Sequence, residues 1–168
     1  INRKNHIPVY AYFAMEVEEL LDTNFFVRKI LKWGKINRRI FTWRETSNPY
    51  AILIAEILLQ RTAASQVEAI YLKFIGEFPT ADTLSEASIQ DIANIIKPLG
   101  LKYRASRLKD IAVKIVENHQ GLIPESKDEL VQLKGIGEYV SNAVLCFAFG
   151  KDVPLVDTNI ARVVQRVF

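Results

Sequence analysis

Cysteine, long apolar runs and strand-like alternation are all scarce in this chain of 168 residues. A single cysteine, Cys146, excludes a disulfide within the chain and a cysteine-rich metal site. Because Cys146 lies in an apolar run, we expect a small, buried side chain there. No apolar stretch reaches the length of a membrane span without a charge, so we expect no membrane partner.

A secretion signal is also missing, because the first residues lead into mixed polar sequence rather than an apolar segment. We therefore expect an intracellular protein. The chain does not begin with Met, and a helical pattern is still running at Phe168. These two features indicate a piece of a longer product.

The balance of charge is nearly even, with a net charge of +3 and a charged fraction of 24%. An apolar fraction of 49% is enough to build a core, which excludes disorder as the general state of the chain. The small basic surplus permits nucleic-acid binding without requiring it.

Helical periodicity dominates the apolar pattern, and no stretch alternates as a strand would. Ser88 with Asp91, and Ser126 with Glu129, form candidate capping boxes at two helix starts. The pattern predicts an all-α fold of short helices, with loops at Phe41-Thr42-Trp43 and at residues 153–156. The clearest apolar stripe consists of Val67, Ile70, Tyr71, Phe74, Ile75 and Phe78.

A Gly-x-Gly turn, Lys134-Gly135-Ile136-Gly137, lies between two of the predicted helices. Such a turn can point backbone amides outward at the start of the next helix, where they bind phosphate without side-chain charge. An ordinary interhelical turn is the alternative. The flanking helices, and an aspartate shortly after the second one, favour phosphate binding.

Asp157 lies at the entry to the last predicted helix, where a plain N-cap is the simplest interpretation. In the functional alternative, a carboxylate fixed beside a DNA-binding turn stabilises a positively charged sugar and directs water to it. Glu56 is the one charge in a long apolar run. It must pair with an arginine or backbone groups, or face a pocket as a proton donor or base-recognition group.

Two weaker signals accompany these residues. Gln60 and Arg61 end the helix of Glu56 and could meet a DNA minor groove, although a solvated helix end explains them too. A basic cluster follows, which a solvated helix face explains equally well. Its members are Lys102, Arg104, Arg107 and Lys109.

Taken together, these motifs resemble the endonuclease III, or helix-hairpin-helix-GPD, superfamily of DNA glycosylases. The likeness rests on Gly135-Ile136-Gly137, on Tyr139, and on Val153-Pro154-Leu155-Val156-Asp157, with residues 38–44 and 49–62 resembling its mismatch-specific members. The resemblance implies two helical lobes with a DNA-binding cleft between them. Residues 49–154 would form a six-helix lobe, and residues 1–48 with 155–168 the other.

The resemblance also implies roles for individual residues. Asp157, Tyr139 and Glu56 would surround a base flipped out of the duplex. Lys134 and the turn glycines would bind DNA, with a monovalent cation at the carbonyls of Leu133, Gly135 and Ile136. Gln60, or Leu101 from the other side, would fill the gap left by the flipped base, with Arg61 beside them.

Thymine-DNA mismatch glycosylases are the members most similar to this chain, which implies release of thymine or uracil opposite guanine. Tyr139 replaces the catalytic lysine of bifunctional members, so strand cleavage should be weak or absent. Adenine release opposite 8-oxoguanine or guanine is one alternative, because the segment from Glu56 to Thr62 also resembles adenine glycosylases. A non-catalytic DNA-binding module is the other.

Further expectations follow from the resemblance. The partner would be mismatch-containing double-stranded DNA, bound by a monomer in a prokaryotic cytoplasm or nucleoid. The family often carries four cysteines that hold a 4Fe-4S cluster. This chain holds no cofactor of its own in that interpretation, and a cluster would require residues beyond Phe168.

Overall fold

The computed structural model describes residues 23–100 and 103–168, and its regular structure there is entirely helical. An all-α fold was predicted, and it is confirmed. The helices, in chain order, are α1 (Thr23–Asn37), α2 (Pro49–Leu59), α3 (Ala64–Glu77), α4 (Ala81–Glu86), α5 (Ile89–Ile96), α6 (Tyr103–His119), α7 (Lys127–Gln132), α8 (Glu138–Phe149) and α9 (Thr158–Val167). Short 3-10 turns occupy Thr42–Arg44 and Lys97–Leu99.

The chain divides into two compact units. Residues 40–157 form the central unit, and residues 1–39 with 158–168 form the terminal unit. The lobe borders expected from the sequence, at 48/49 and 154/155, stay a prediction. None of the helices in the described ranges is long and apolar enough to span a bilayer.

Helix α2 is the centre of the central unit. Asn48 caps its start by accepting a hydrogen bond from the Ala51 N–H at 3.1 Å, and Pro49 fits the first turn, where no amide donor is needed. Every residue from Tyr50 to Leu58 is buried, as expected for a helix that is apolar on all sides. Each fully buried Ile or Leu contributes about 1.5–3 kcal/mol, so α2 and its neighbours α3 and α8 fix the core.

Helix α6 carries the second apolar stripe and packs on α4 and α5. Its buried side chains include Ala105, Leu108, Ile111, Ala112 and Ile115. The helix ends at His119, where Gln120 and Gly121 adopt positive φ angles. Gly121 in the sequence predicts the end of this helix, and the structure confirms that end within two residues.

The caps match the sequence in part. Ser88 accepts a hydrogen bond from the Asp91 N–H at 3.0 Å, as predicted. Ser126 lies at the start of α7 but makes no side-chain capping bond, so the capping box predicted there is wrong. Helix α4 was not predicted, and its start is a reciprocal box between Thr80 and Thr83.

Two local predictions need correction. Phe41-Thr42-Trp43 is not a plain loop, because a 3-10 turn over Thr42–Arg44 buries Trp43. The Trp43 ring stacks on Phe41 at 4.7 Å and meets Tyr71 edge-on at 5.5 Å, which holds the turn on the core. Cys146 is half-buried rather than buried. The loop at residues 153–156 is confirmed.

The terminal unit, in its described part, consists of α1 and α9. Neither helix contains a buried residue. The rings of Phe26 and Phe168 meet edge-on at 5.3 Å. An apolar cavity of about 280 Å³ is lined by Phe26, Ile30, Asn159, Ile160, Val163 and Val164.

Candidate active site and hairpin

Tyr139, in the first turn of α8, lies within electrostatic range of both predicted carboxylates. Burial raises the pKa of its phenol, the charge of Glu56 raises it further, Arg44 lowers it, and Asp157 raises it again. The charges of Glu56 and Asp157 therefore both act on the Tyr139 phenol, and all three residues belong to the central unit. A phenol with its ordinary pKa of 10.0 is already protonated at neutral pH, and the raised pKa of Tyr139 extends its range as a hydrogen-bond donor to higher pH.

Glu56 forms an ion pair with Arg44, whose Nη1 lies 3.1 Å from Glu56 Oε1. Glu56 is only 3% exposed, and burial raises the pKa of its carboxyl, against the opposing effect of Arg44. Apart from this contact with Arg44, Oε1 has no hydrogen-bond partner within the described ranges. The sequence left pairing and pocket exposure open for Glu56, and the structure shows the pairing.

Arg44 belongs to the segment of residues 38–44, to which the sequence assigned no individual role. Its guanidinium lies over the Phe147 ring, 4.1 Å from the centroid. That ring and Glu56 together hold Arg44 in place. The signal that could have pointed to Arg44 is the lone carboxylate in α2, since a cationic partner is one way to compensate a buried acid.

Asn142 connects α8 to the loop that carries Asp157. Its Nδ2 donates a hydrogen bond to the Pro154 carbonyl oxygen at 2.8 Å. Asn142 is 3% exposed, and its Oδ1 has no hydrogen-bond partner among the residues described. Asn142 was not predicted from the sequence, although it lies one helical turn after Tyr139 and so shares its face of the helix.

A cavity of about 330 Å³ opens at the same place. It is lined by Glu138, Tyr139, Asn142, Pro154 and Val156. At its rim, Lys127 Nζ donates to Glu138 Oε1 at 2.6 Å, which lowers the pKa of that carboxyl. The cavity thus places the phenol of Tyr139 and a buried amide beside the loop that leads to Asp157.

The hairpin, residues 133–137, joins α7 to α8. Gly135 has a φ angle of +84°, a left-handed conformation that favours glycine, and the Ile136 N–H donates to the Leu133 carbonyl at 2.9 Å. Ile136 is buried, whereas Lys134 is exposed. A Cβ at Gly137 would meet no atom within 4 Å, so the start of α8 is open to a ligand.

The expected cation would be held by carbonyl oxygens, and this loop supplies a suitable donor set. Leu133 O already accepts from Ile136 N, and Gly135 O accepts from Gln60 Nε2 at 3.3 Å. Each carbonyl has a second lone pair, so these residues fit a monovalent ion. A 4Fe-4S cluster does not fit this chain alone, because Cys146 is its one thiol.

The basic cluster on α6 is not the solvated face that the sequence allowed. Arg104 is fully buried, and Lys109 Nζ donates to the Ala87 carbonyl at 2.7 Å. Arg107 donates to the side chain of Gln60 at 2.6 Å. The spacing of basic residues along the sequence could not predict these contacts, because the partners lie far away in the sequence.

The structure describes two of the remaining residues that were predicted near DNA, Gln60 and Arg61. Gln60 is half-buried and held at both ends of its amide, as above. Arg61 is exposed, with a φ angle of +57°. Leu101 and Lys102 lie outside the described residues.

Comparison with known proteins gives a consistent picture. A family model for the HhH-GPD superfamily base excision DNA repair protein matches residues 54–168. The chain is 40% identical over 144 residues to a thymine/uracil-DNA glycosylase of Methanothermobacter thermautotrophicus, covering 85% of this chain and 65% of that protein. It is 38% identical over 146 residues to an adenine DNA glycosylase of Mycobacterium tuberculosis, covering 86% of this chain and 46% of that protein.

Solved structures agree with the sequence relatives. A thermostable thymine-DNA glycosylase superposes with a TM-score of 0.82 at 39% identity, over 84% of this chain and 66% of that one. An endonuclease III–DNA complex superposes with a TM-score of 0.75 at 22% identity, over 87% and 69%, and this likeness concerns the fold alone. The chain spans about 65% of the length of its thymine/uracil relatives.

Proposed function

We propose that this chain, which belongs to the HhH-GPD superfamily of base excision DNA repair proteins, is a DNA glycosylase for thymine or uracil mispaired with guanine. It would hydrolyse the N-glycosidic bond of the flipped-out base. The observation that carries the proposal is the electrostatic cluster of Tyr139 with Glu56 and Asp157 beside a cavity. The thymine/uracil names of its relatives support the choice of base.

In this mechanism the hairpin binds a DNA backbone phosphate through the amides at the start of α8. A cation at the hairpin carbonyls would add positive charge toward that phosphate. The flipped nucleotide would enter beside Tyr139, whose protonated phenol donates a hydrogen bond to an oxygen of the base. Phosphate contacts supply most of the affinity, and the base contacts supply selectivity.

The bond between C1′ and the base nitrogen breaks with its electron pair leaving on the base. Asp157 would stabilise the positive charge that develops at C1′ and orient the attacking water. The water oxygen forms the new bond to C1′ and gives up a proton to the solvent, directly or by way of Asp157. The departing anion would be stabilised by the Tyr139 phenol, and Asn142 would hold the loop of Asp157 in register through Pro154.

Weak or absent strand cleavage is part of the proposal. β-Elimination in this superfamily requires an amine that forms a Schiff base with the sugar. The residue at the relevant position is Tyr139, and none of the five residues that line the cavity carries an amine. The enzyme would therefore be monofunctional, leaving an abasic site in an intact strand.

Adenine release opposite 8-oxoguanine or guanine is the second candidate. It is favoured by the raised pKa of the Glu56 carboxyl, because a buried acid that keeps its proton can donate it to an adenine ring nitrogen. The adenine glycosylases among the relatives support it as well. A non-catalytic DNA-binding module explains the hairpin but gives no reason for the buried ion pair of Glu56.

A single-turnover excision assay tests these alternatives. Labelled duplexes with G·T, G·U or adenine opposite 8-oxoguanine are incubated with excess protein and then treated with or without hot alkali, and a G·C duplex is the control. Cleavage of the G·T and G·U strands only after alkali supports the proposal. Release confined to the adenine strand assigns the second candidate, and no release from any duplex favours the binding module.

A further inference from the structure

We propose that Arg107 is a positioning residue that holds the side chain of Gln60 against the hairpin. The phosphate-binding turn and the side chain that would replace the flipped base then engage DNA as one unit. This inference rests on the proposed function, since it concerns how the mispaired site is probed. Neither the family resemblance nor the sequence pattern assigned Arg107 a role.

The first observation is that both ends of the Gln60 amide are fixed. Arg107 Nη2 donates to Gln60 Oε1 at 2.6 Å, and Gln60 Nε2 donates to the Gly135 carbonyl at 3.3 Å. A guanidinium donor makes the first of these bonds charge-assisted and therefore strong. Because one end of the amide must accept and the other donate, the pair of bonds fixes the orientation of the Gln60 side chain.

The second observation is that the hairpin packs directly on Arg107. A Cβ at Gly135 would lie 2.7 Å from Arg107 Cδ and 2.9 Å from its Nη1. Gly135 thus has two reasons to be glycine, its left-handed backbone and the close approach of this side chain. A shift of the hairpin on binding phosphate would be transmitted to Arg107 and through it to Gln60.

The third observation concerns Arg104, one turn earlier on α6. Its guanidinium donates to the carbonyls of Leu58 at 3.0 Å and Gln60 at 2.7 Å, and to the Thr62 hydroxyl at 3.0 Å. Arg104 therefore fixes the backbone of the segment whose side chain Arg107 fixes. The carbonyls at the end of α2 carry partial negative charge, which compensates the buried cation.

The fourth observation is a missing counter-charge. Arg107 forms no ion pair with a carboxylate in the part of the chain described. Burial lowers the pKa of Arg104, and the charge of Arg107 lowers it further. Two neighbouring guanidinium groups repel each other, and this repulsion lowers the stability of the fold unless an anion offsets it. A DNA phosphate at the adjacent hairpin would supply the anion that offsets this repulsion.

The test separates the charge of Arg107 from its geometry. Arg107→Lys keeps the charge but loses the planar fork of donors, and Arg107→Met loses both. Gln60→Ala removes the held side chain. Lys114→Met is the matched control, since Lys114 lies on the same helix, two turns further on, and is exposed.

The probe is a G·T duplex with the fluorescent base 2-aminopurine next to the thymine, because unstacking increases its emission. We expect the unaltered chain and Lys114→Met to raise the fluorescence of the bound duplex alike. Arg107→Lys and Arg107→Met should both reduce that rise by about fivefold or more, in the range of coupled neighbours. The double variant with Gln60→Ala should be no worse than Gln60→Ala alone, and circular dichroism melting confirms that each variant is folded.

Two results with the variants would overturn the inference. One is an Arg107→Lys variant that matches the unaltered chain, which would reduce Arg107 to a point charge. The other is additivity of Arg107→Met and Gln60→Ala, which would mean that the two side chains act separately. No rise with the unaltered chain would overturn it as well, whatever base is released.

The readout does not depend on catalysis, so the two proposals can fail separately. A chain that releases no base from any duplex, yet shows the fluorescence rise and the coupling, retains the positioning role of Arg107 and loses the proposed activity. A chain that releases thymine but shows additive variants retains the activity and loses the positioning role.

Discussion

At the scale of single residues, the mechanism depends most on Asp157. We expect Asp157→Asn to lower the single-turnover excision rate by about 10²–10³ or more, because a preorganised charge opposite C1′ is removed. DNA affinity should change little, since phosphate contacts dominate it. Asp152→Asn is the control, as Asp152 is exposed in the same loop. An Asp157→Asn protein that excises at the parent rate would remove Asp157 from the mechanism.

Glu56 should cost the fold stability at neutral pH. The pKa of its carboxyl is raised in the folded chain above the ordinary value of 4.5. The protonated carboxyl therefore contributes fully to the free energy of unfolding below pH 4.5. That contribution is lost as the pH rises through the folded pKa. We expect Glu56→Gln to raise the melting midpoint at pH 8, by roughly 2–4 °C for about 1 kcal/mol, with little change at pH 4.

Thermal unfolding at the two pH values checks this expectation, with the exposed Glu77→Gln as control. A Glu56→Gln protein less stable than the parent at pH 8 would contradict it. That result would mean that the ion pair with Arg44 outweighs the cost of burying the carboxylate.

The sequence could single out Glu56 because it is the one charge in an apolar run, whereas local pattern favoured a plain N-cap at Asp157, whose catalytic role followed from the family resemblance. It could not assign Arg44, Asn142 or Arg107, whose roles depend on distant partners. Arg107, for example, bonds to a residue 47 positions away. Local pattern carries no record of such contacts, and the roles of the site residues stay predictions until variants are measured.

At the scale of elements, the hairpin should respond differently to its two glycines. Gly135→Ala places a side chain in a left-handed conformation, at a cost of about 1–2 kcal/mol, and against Arg107. We expect it to lower both the free energy of unfolding and DNA affinity. Gly137→Ala should leave stability nearly unchanged, because its Cβ would meet no atom.

Denaturant unfolding and a binding titration on the same preparations separate the two effects. If phosphate binds at the open start of α8, Gly137→Ala should weaken affinity without destabilising the chain. Equal loss of stability in both variants would contradict the expectation that a side chain fits at Gly137 without strain.

Helices were predictable where apolar residues repeat over several turns, as in α3 and α6. The short helix α4 was missed because its box pairs Thr80 with Thr83, whereas the usual signal is a Glu or Gln at the third position. The Ser126 box shows the reverse error, since a matching sequence made no capping bond. Side-chain alternatives of similar energy decide such ends, and sequence spacing does not distinguish them.

At the scale of the whole molecule, the two units should differ in local stability. Helix α2 is buried from Tyr50 to Leu58, whereas α1 and α9 have no buried residue. Amides in helices with few buried contacts open locally far more often than those in a core. We expect α2 to show the slowest native-state hydrogen exchange, and α1 and α9 to exchange orders of magnitude faster. Equal protection in all three would refute this expectation.

The all-helical class followed from periodicity, and the family followed from several motifs in the right order. The lobe borders expected at 48/49 and 154/155 stay a prediction, because periodicity alone does not place a border. A border is set by which apolar faces cover one another, as when the aromatic contacts of Trp43 attach its turn to the central core. Such contacts are properties of the packed chain rather than of any one segment.

The two tryptophans give the molecule built-in optical reporters. Trp43 belongs to the central unit and is 2% exposed, whereas Trp33 belongs to the terminal unit and is 62% exposed. Emission should therefore have a blue component from the shielded indole and a red one from the solvated indole. Iodide should quench mainly the red component, and a Trp33→Phe chain should retain the blue one. Without any added label, a red shift of the blue component would then report the unfolding of the central unit, because the exposed Trp33 indole emits red in either state.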